Sequence, residues 1–313
     1  MFTRPLAAVL LLTALSPLSF AADASAQRPL PKRIVFLGDS ITYAGQYVEF
    51  VETYFRLKSP GRDLEILDIG LPSETVSGLS EEGHAGGKFP RPDLHERLER
   101  VLSKAKPDLV VACYGMNCGI YLPFAEDRFA KYRDGMERLR KACAAHGAKV
   151  LHVTPPVFDE VKGGKPGYTD TLARYSAWLL SQPKAGWDVV DVNGPMTRHL
   201  AEQRAKDPKF FLAGDGVHCN EAGHWLIAKE ILLHFGAKGI TAAPDPKAML
   251  SAFPNGDAVL KLVQQRQRLL KDAWLTETKH TRPGMKTGLP LAEAQAKAVE
   301  LQKQISELTK TNP

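Results

Sequence analysis

Four short stretches of this sequence carry residue types that can do chemistry together. Gly38-Asp39-Ser40 follows the apolar run Ile34-Val35-Phe36-Leu37 directly and opens into Ile41-Thr42. A serine at such a strand-to-helix turn meets outward backbone N–H groups, which favour negative charge. It can attack a carbonyl while its own amide steadies the resulting oxyanion. Asp215-Gly216-Val217-His218 places a carboxylate three residues before an imidazole. On a tight turn the carboxylate can hold one ring nitrogen while the other faces a serine. Gly70 ends a second apolar run and can present a backbone amide, and Asn117 follows a third and can donate its side-chain amide. Each stretch alone has a plainer reading. Ser and Asp cap helices, a surface turn can hold a histidine by chance, and Gly and Asn are common after strands.

These residues need a scaffold that brings strand ends together. Ile34 to Leu37, Leu64 to Ile69, Asp108 to Tyr114, Lys149 to Val153 and Trp187 to Val192 are short and apolar, as strands buried on both faces are. Between them, Tyr47 to Leu57, the segment around Leu94 to Leu102, Phe129 to Ala145 and Thr171 to Leu180 carry apolar residues at helical spacing. The alternation predicts a three-layer α/β/α sandwich on a mainly parallel five-stranded sheet. Ligands bind beyond the carboxyl ends of strands in such sheets, and all four stretches fall there.

The flanks read differently. Arg4, the apolar run from Leu6 to Phe20 and the small residues Ala22 to Ala26 read as a removable signal peptide over 1–26. That predicts a periplasmic or secreted protein, with an uncleaved membrane anchor as the alternative. The catalytic domain is expected over 27–239. Ala242-Ala243-Pro244-Asp245-Pro246 reads as a linker, and 240–313 as a helical extension with helices at Ala258 to Trp274 and Leu291 to Leu308. Trp274, His280 and Arg282 either anchor that extension or lean over the cleft. The net charge of +6 is interleaved along the chain without a basic stripe, which argues for solubility and against a nucleic-acid partner.

Gly-Asp-Ser near the start, Gly after the second strand, Gly-x-Asn after the third and Asp-x-x-His near the end resemble the four blocks of the SGNH/GDSL hydrolases. The resemblance covers about residues 33 to 236. It implies a flavodoxin-like sandwich in which Ser40 is the nucleophile, His218 the general base and acid, and Asp215 the group that orients it. It further implies an oxyanion hole made by the Ser40 and Gly70 amides and the Asn117 side chain, with no metal or organic cofactor. Members cleave esters, often short acyl groups on carbohydrates, and sometimes lipids or thioesters. A small-molecule or glycan ester is therefore the expected substrate, and no stable membrane insertion is expected after leader cleavage. A lysophospholipase or thioesterase on the same triad, and a non-catalytic carbohydrate-binding protein, are the alternatives. No Gly-x-Ser-x-Gly elbow occurs, which argues against an ordinary α/β-hydrolase.

The sequence departs from the family pattern where Cys118 follows Asn117 and Cys219 follows His218. A Cys118–Cys219 disulfide pinning the two loops together is one expectation, two free buried thiols the other. Cys113 and Cys143 read as core residues. His218, Cys219 and His224 also raise a zinc reading. They lack metal-site spacing, and His224 is expected in the first turn of a helix.

Overall fold

A computed structural model describes residues 31–310, so the expected signal peptide lies outside the described residues. The chain opens with strand β1 (Arg33–Gly38), the short helix α1 (Ser40–Ala44), α2 (Gln46–Lys58) and β2 (Glu65–Asp68). A one-turn segment α3 (His84–Gly87) precedes α4 (Leu94–Ala105), β3 (Leu109–Cys113) and α5 (Glu126–Ala145). Next come β4 (Lys149–Val153), α6 (Glu160–Gly163), α7 (Tyr168–Ser181), β5 (Asp188–Val190), α8 (Asn193–Lys206) and α9 (Glu221–His234). The C-terminal part holds α10 (Pro246–Leu250), α11 (Gly256–Thr278) and α12 (Leu291–Thr309).

The five strands form one parallel sheet in the order β2-β1-β3-β4-β5. Every expected strand is present; the fifth is shorter than its apolar run. Alternate residues of β1 serve opposite faces: Ile34 and Phe36 join one core, Val35 and Leu37 the other. Helices α2 and α9 cover the first face, α4 and α5 the second. The chain leaves β1 towards β2 on one side and returns to β3 on the other. The carboxyl ends of β1 and β3 therefore open a crevice at the reversal point, where such sheets bind ligands. Ser40 stands at that crevice.

Two glycines let the backbone close tightly there. A Cβ on Gly38 would lie 2.0 Å from Thr42 Oγ1 and 2.8 Å from the Cys113 carbonyl. One on Gly70 would lie 2.5 Å from the Tyr43 amide nitrogen. The β1–β2 ladder also continues past the strands. Ile69 N–H donates to Phe36 O at 3.0 Å and Leu71 N–H to Gly38 O at 2.9 Å, which holds the loop after β2 against α1.

The helical extension is part of the core. Along α11, Val259 and Val263 enter one apolar cluster and Leu270, Ala273 and Trp274 the other, so this helix crosses the β2 edge of the sheet. Its polar side chains meet the edge backbone. Gln267 Nε2 donates to Ile66 O at 2.9 Å, and Gln267 Oε1 accepts the Asp68 N–H at 3.3 Å. Arg266 Nη1 reaches Ile66 O at 3.3 Å and Glu52 Oε1 at 2.9 Å. From α2, Arg56 Nη2 donates to Leu64 O at 2.6 Å and to Glu52 Oε1 at 3.0 Å. Edge strands expose unpaired N–H and C=O groups, and here side chains satisfy them.

Candidate active site

The residues singled out at the two ends of the sequence meet. Ser40 is the first residue of α1, whose N-cap Asp39 accepts the Ile41 N–H at 2.9 Å. Asp215 and His218 lie on the loop between α8 and α9. An antiparallel bridge between Ala213 and Cys219 closes that loop, and Gly216 turns it with a φ of 84°. Its exit is fixed by Asn220, which caps α9 by accepting the Gly223 N–H at 3.0 Å. Ser40 Oγ lies 2.9 Å from His218 Nε2, and His218 Nδ1 lies 2.6 Å from Asp215 Oδ2. Asp215 Oδ1 accepts the Val217 and His218 amides at 2.9 and 2.8 Å. A carboxylate on Nδ1 holds the proton there and leaves Nε2 to accept from the serine hydroxyl. The His218 and Asp215 side chains are both more than half exposed, so the site opens to solvent.

The anion-binding side differs from expectation at one position. Asn117, buried after β3, donates Nδ2 to Glu74 O at 3.3 Å and accepts the Tyr121 hydroxyl on Oδ1 at 2.9 Å. The second Nδ2 proton remains for another acceptor. Gly70 does not have that freedom. Its N–H donates to Asp68 Oδ1 at 2.9 Å, so this amide is committed to an internal carboxyl. The glycine is required by the close approach to Tyr43 instead. Apolar-run reading marks a glycine at a strand end, but not which acceptor takes its proton.

The expected disulfide is also corrected: Cys118 and Cys219 are both free. The turn after β3, closed by Cys118 N–H donating to Gly115 O at 2.9 Å, directs Cys118 into the apolar cluster of α4 and α5. Cys219 packs with the cluster on the opposite face, where its Sγ would lie 3.2 Å from a Cβ added to Gly223. Burial pushes both thiols up to about 12. His224 lies in the first turn of α9, stacked on Tyr47 at 6.1 Å, and burial lowers it to about 4. Among the described residues no group of three or more His, Cys, Asp or Glu side chains is placed to hold a metal ion.

Several polar residues around the site were not singled out from sequence. Glu74 is fully buried and takes a bidentate pair from Arg97 at 2.6 and 2.8 Å, plus the Tyr114 hydroxyl at 2.6 Å. Arg97 also donates to Ile69 O at 2.9 Å, so this cluster props the loop after β2 from below. A Glu and an Arg 23 residues apart on a loop and a helix give no recognisable spacing. Asp68 is buried beside Lys271 of α11 at 3.6 Å; burial is the larger influence and raises its carboxyl to about 6. Lys271 sits 4.5 Å over the Tyr43 ring and donates to the Tyr43 carbonyl, joining the extension to the helix of Ser40. The loop over 72–92 is tied by Arg91, bidentate on Glu81 at 2.6 Å through both nitrogens. From the extension, Trp274 is buried as an anchor, whereas Arg282 lies 5.3 Å over Phe89 of that loop.

Residues 36–226 match the GDSL-like lipase/acylhydrolase family. No curated protein sequence matches the chain. Among solved structures, the gut microbial diltiazem-metabolizing enzyme BT4096 superposes with a TM-score of 0.53 at 22% identity. That match covers 65% of this chain and 46% of the other, so the chain spans less than half of that enzyme's length. Two catalytic mutants of Axe2, an acetylxylan esterase from Geobacillus stearothermophilus, give TM-scores of 0.51 and 0.50 at 20% identity, covering 65% of this chain and 93% of theirs. These likenesses carry the fold, and the family match spans β1 to α9, from the strand before Ser40 to the helix after His218. The chain belongs to the GDSL-like lipase/acylhydrolase family and is a carboxylic-ester hydrolase.

Proposed function

We propose that the chain removes short acyl groups, acetyl above all, from carbohydrate esters, and that it works outside the cytoplasm after loss of a leader at 1–26. The observation that carries the catalytic part is the unbroken run from Ser40 Oγ through His218 to Asp215, at 2.9 and 2.6 Å. The Ser40 oxygen attacks the ester carbonyl as His218 Nε2 takes its proton. Negative charge collects on the former carbonyl oxygen, facing the Ser40 amide at the start of α1 and the open Asn117 N–H. The bond to the alcohol then breaks, and the alcohol leaves with the proton from His218. Water, deprotonated by the same nitrogen, attacks the acyl-serine. The acid departs and Ser40 recovers its proton.

Two points support a short acyl group on a sugar. The acetylxylan esterase Axe2 shares the fold over 65% of this chain. A 670 Å³ cavity, where Tyr54, Phe55, Phe235 and Phe253 stand beside Lys58, Arg62 and Lys238, lies at the far end of α2 from Ser40 and so is not placed to receive an acyl chain attached there. Among the described residues no helix is long and apolar enough to cross a membrane.

The test is hydrolysis of p-nitrophenyl acetate, butyrate and octanoate beside Ser40→Ala, followed by acetyl release from acetylated oligosaccharides. Acetate cleaved fastest by the wild type and not by the variant is the expected result. A rate rising towards octanoate would instead favour a lipid or thioester substrate. A Ser40→Ala protein as active as the wild type would remove the serine mechanism. The N-terminal sequence of protein recovered from an expressing cell's exterior checks the leader.

A further inference from the structure

The strongest unexplained feature beside the triad is the backbone after Asn117. Ile120 and Tyr121 both take positive φ, 49° and 58°. Two consecutive non-glycine residues in that region are uncommon, and a β-branched one is an outlier. Such strain persists only where the surroundings over-determine it, and it gathers at functional sites. Here the surroundings are visible. The Ile120 amide donates back to Asn117 O at 3.0 Å. The Tyr121 ring packs on Tyr168 at 4.9 Å and Phe158 at 6.0 Å, with the Arg91 guanidinium 5.3 Å over it. Tyr168 in turn donates its hydroxyl to Met116 O at 2.6 Å, one residue before Asn117. The strained turn folds the chain back so that the Tyr121 hydroxyl donates to Asn117 Oδ1 at 2.9 Å.

We infer that Tyr121 is a positioning residue for the oxyanion donor, locking the Asn117 carboxamide so that Nδ2 always faces the reacting carbonyl. This rests on the role proposed above for Asn117. A carboxamide has two ends of nearly equal shape. Rotating it by half a turn would aim an acceptor at the developing oxyanion and repel it. The contact to Glu74 O, at 3.3 Å, is long and holds one end only. The phenol hydroxyl holds the other. Burial first, then the negative charges of Asp39, Glu81 and Asp215, raise the Tyr121 phenol above its ordinary value against the opposing charge of Arg91, so it remains a protonated donor. Preorganised donors act because they need no rearrangement as charge develops, so the effect falls on turnover rather than on binding.

The experiment is a double-mutant cycle on p-nitrophenyl acetate hydrolysis, with Tyr121→Phe, Asn117→Ala and the pair, plus thermal melting of each protein. Tyr121→Phe keeps the ring and removes only the hydroxyl. The expected result is a fall in kcat of about tenfold with KM within about twofold of wild type. In the Asn117→Ala background the same substitution changes kcat by less than about twofold, because the group it positions is gone. Wild-type kcat in Tyr121→Phe overturns the inference. So does an equal loss in both backgrounds, which marks a structural contribution that does not pass through Asn117. Ser40→Ala, assayed alongside, separates the two readings. If it is inactive while Tyr121→Phe is unimpaired, only the Tyr121 inference fails. If it is as active as wild type, the catalytic reading fails and takes this inference with it.

Discussion

Asp215 holds His218 twice, with Oδ2 on the ring Nδ1 at 2.6 Å and Oδ1 on the same residue's backbone N–H at 2.8 Å. Ring and backbone are thus referred to one carboxylate, which fixes the imidazole's tilt as well as its tautomer. Burial pushes the Asp215 carboxyl up, but hydrogen bonds from the His218 ring and the His218 and Val217 amides outweigh it, and the group lies below its ordinary value. Asp215→Asn keeps the shape, removes the charge and turns one acceptor into a donor. It is expected to lower kcat by on the order of 10³- to 10⁴-fold with KM little changed, read from steady-state kinetics. The stabilisation carried by a depressed carboxyl is present above its unfolded value and is lost as pH falls through the folded one.

Asp39 behaves in the opposite sense. Burial raises its carboxyl from 3.8 to about 6, against the Ile41 amide and the charges of His218 and Arg91, which lower it. The folded state then holds the proton more tightly than the unfolded chain. The stability this brings is complete below about pH 4 and is lost as pH rises towards 6, by up to about 3 kcal/mol. Asp39→Asn cannot ionise and still caps α1. Its melting temperature relative to wild type is expected to rise between pH 4 and pH 7. A difference that stays flat over that range would show that Asp39 ionises freely in the fold.

Glu52 is the shared acceptor of Arg56 and Arg266 and is fully buried. Removing it strands two guanidinium groups on a sheet edge without their counter-charge. Glu52→Ala is expected to cost about 3–5 kcal/mol, seen as a lower urea midpoint. A loss below about 1 kcal/mol would mean that water replaces the carboxylate at no penalty.

With Cys113, Cys118, Cys143 and Cys219 all free, denatured and unreduced protein is expected to release four equivalents in a thiol titration. The native protein reacts slowly, since Cys113, Cys118 and Cys143 are buried and burial raises all four thiols. Two equivalents after denaturation would restore a disulfide.

What could be read in the sequence follows from how local its cause is. Ile34 to Leu37 reads as a strand because a central parallel strand is apolar on both faces. The five strands and the helices at 256–278 and 291–309 emerge from the same kind of pattern. Ser40, Asp215, His218 and Asn117 stand out because each directly follows a strand or forms a compact turn motif. Gly70 stood out for the same reason, but the fate of its proton depends on the χ angle of Asp68. Cys118 and Cys219 each follow a residue of the site directly, and both are free. Which face of the sheet each sulfur enters is decided by a turn at Gly115, and sequence spacing does not encode it. By spacing alone Arg266, Gln267 and Lys271 are ordinary polar positions of a helix. Their partners are Glu52, the β2 backbone and Asp68, roughly 200 residues away.

That separation has a consequence for synthesis. A chain emerging from the ribosome can assemble β1, β2 and α2 early, but the outer backbone of β2 receives Gln267 only after nearly the whole chain has been made. Until then the nascent sheet offers Ile66 O and the Asp68 N–H to any extended segment it encounters. Helix α11 is in this sense the closing stitch, and the period before it arrives is when two growing chains can mispair. Faster translation through Thr278, or a chaperone that shields β2, would shorten or guard that interval, and the yield of soluble protein would register either one.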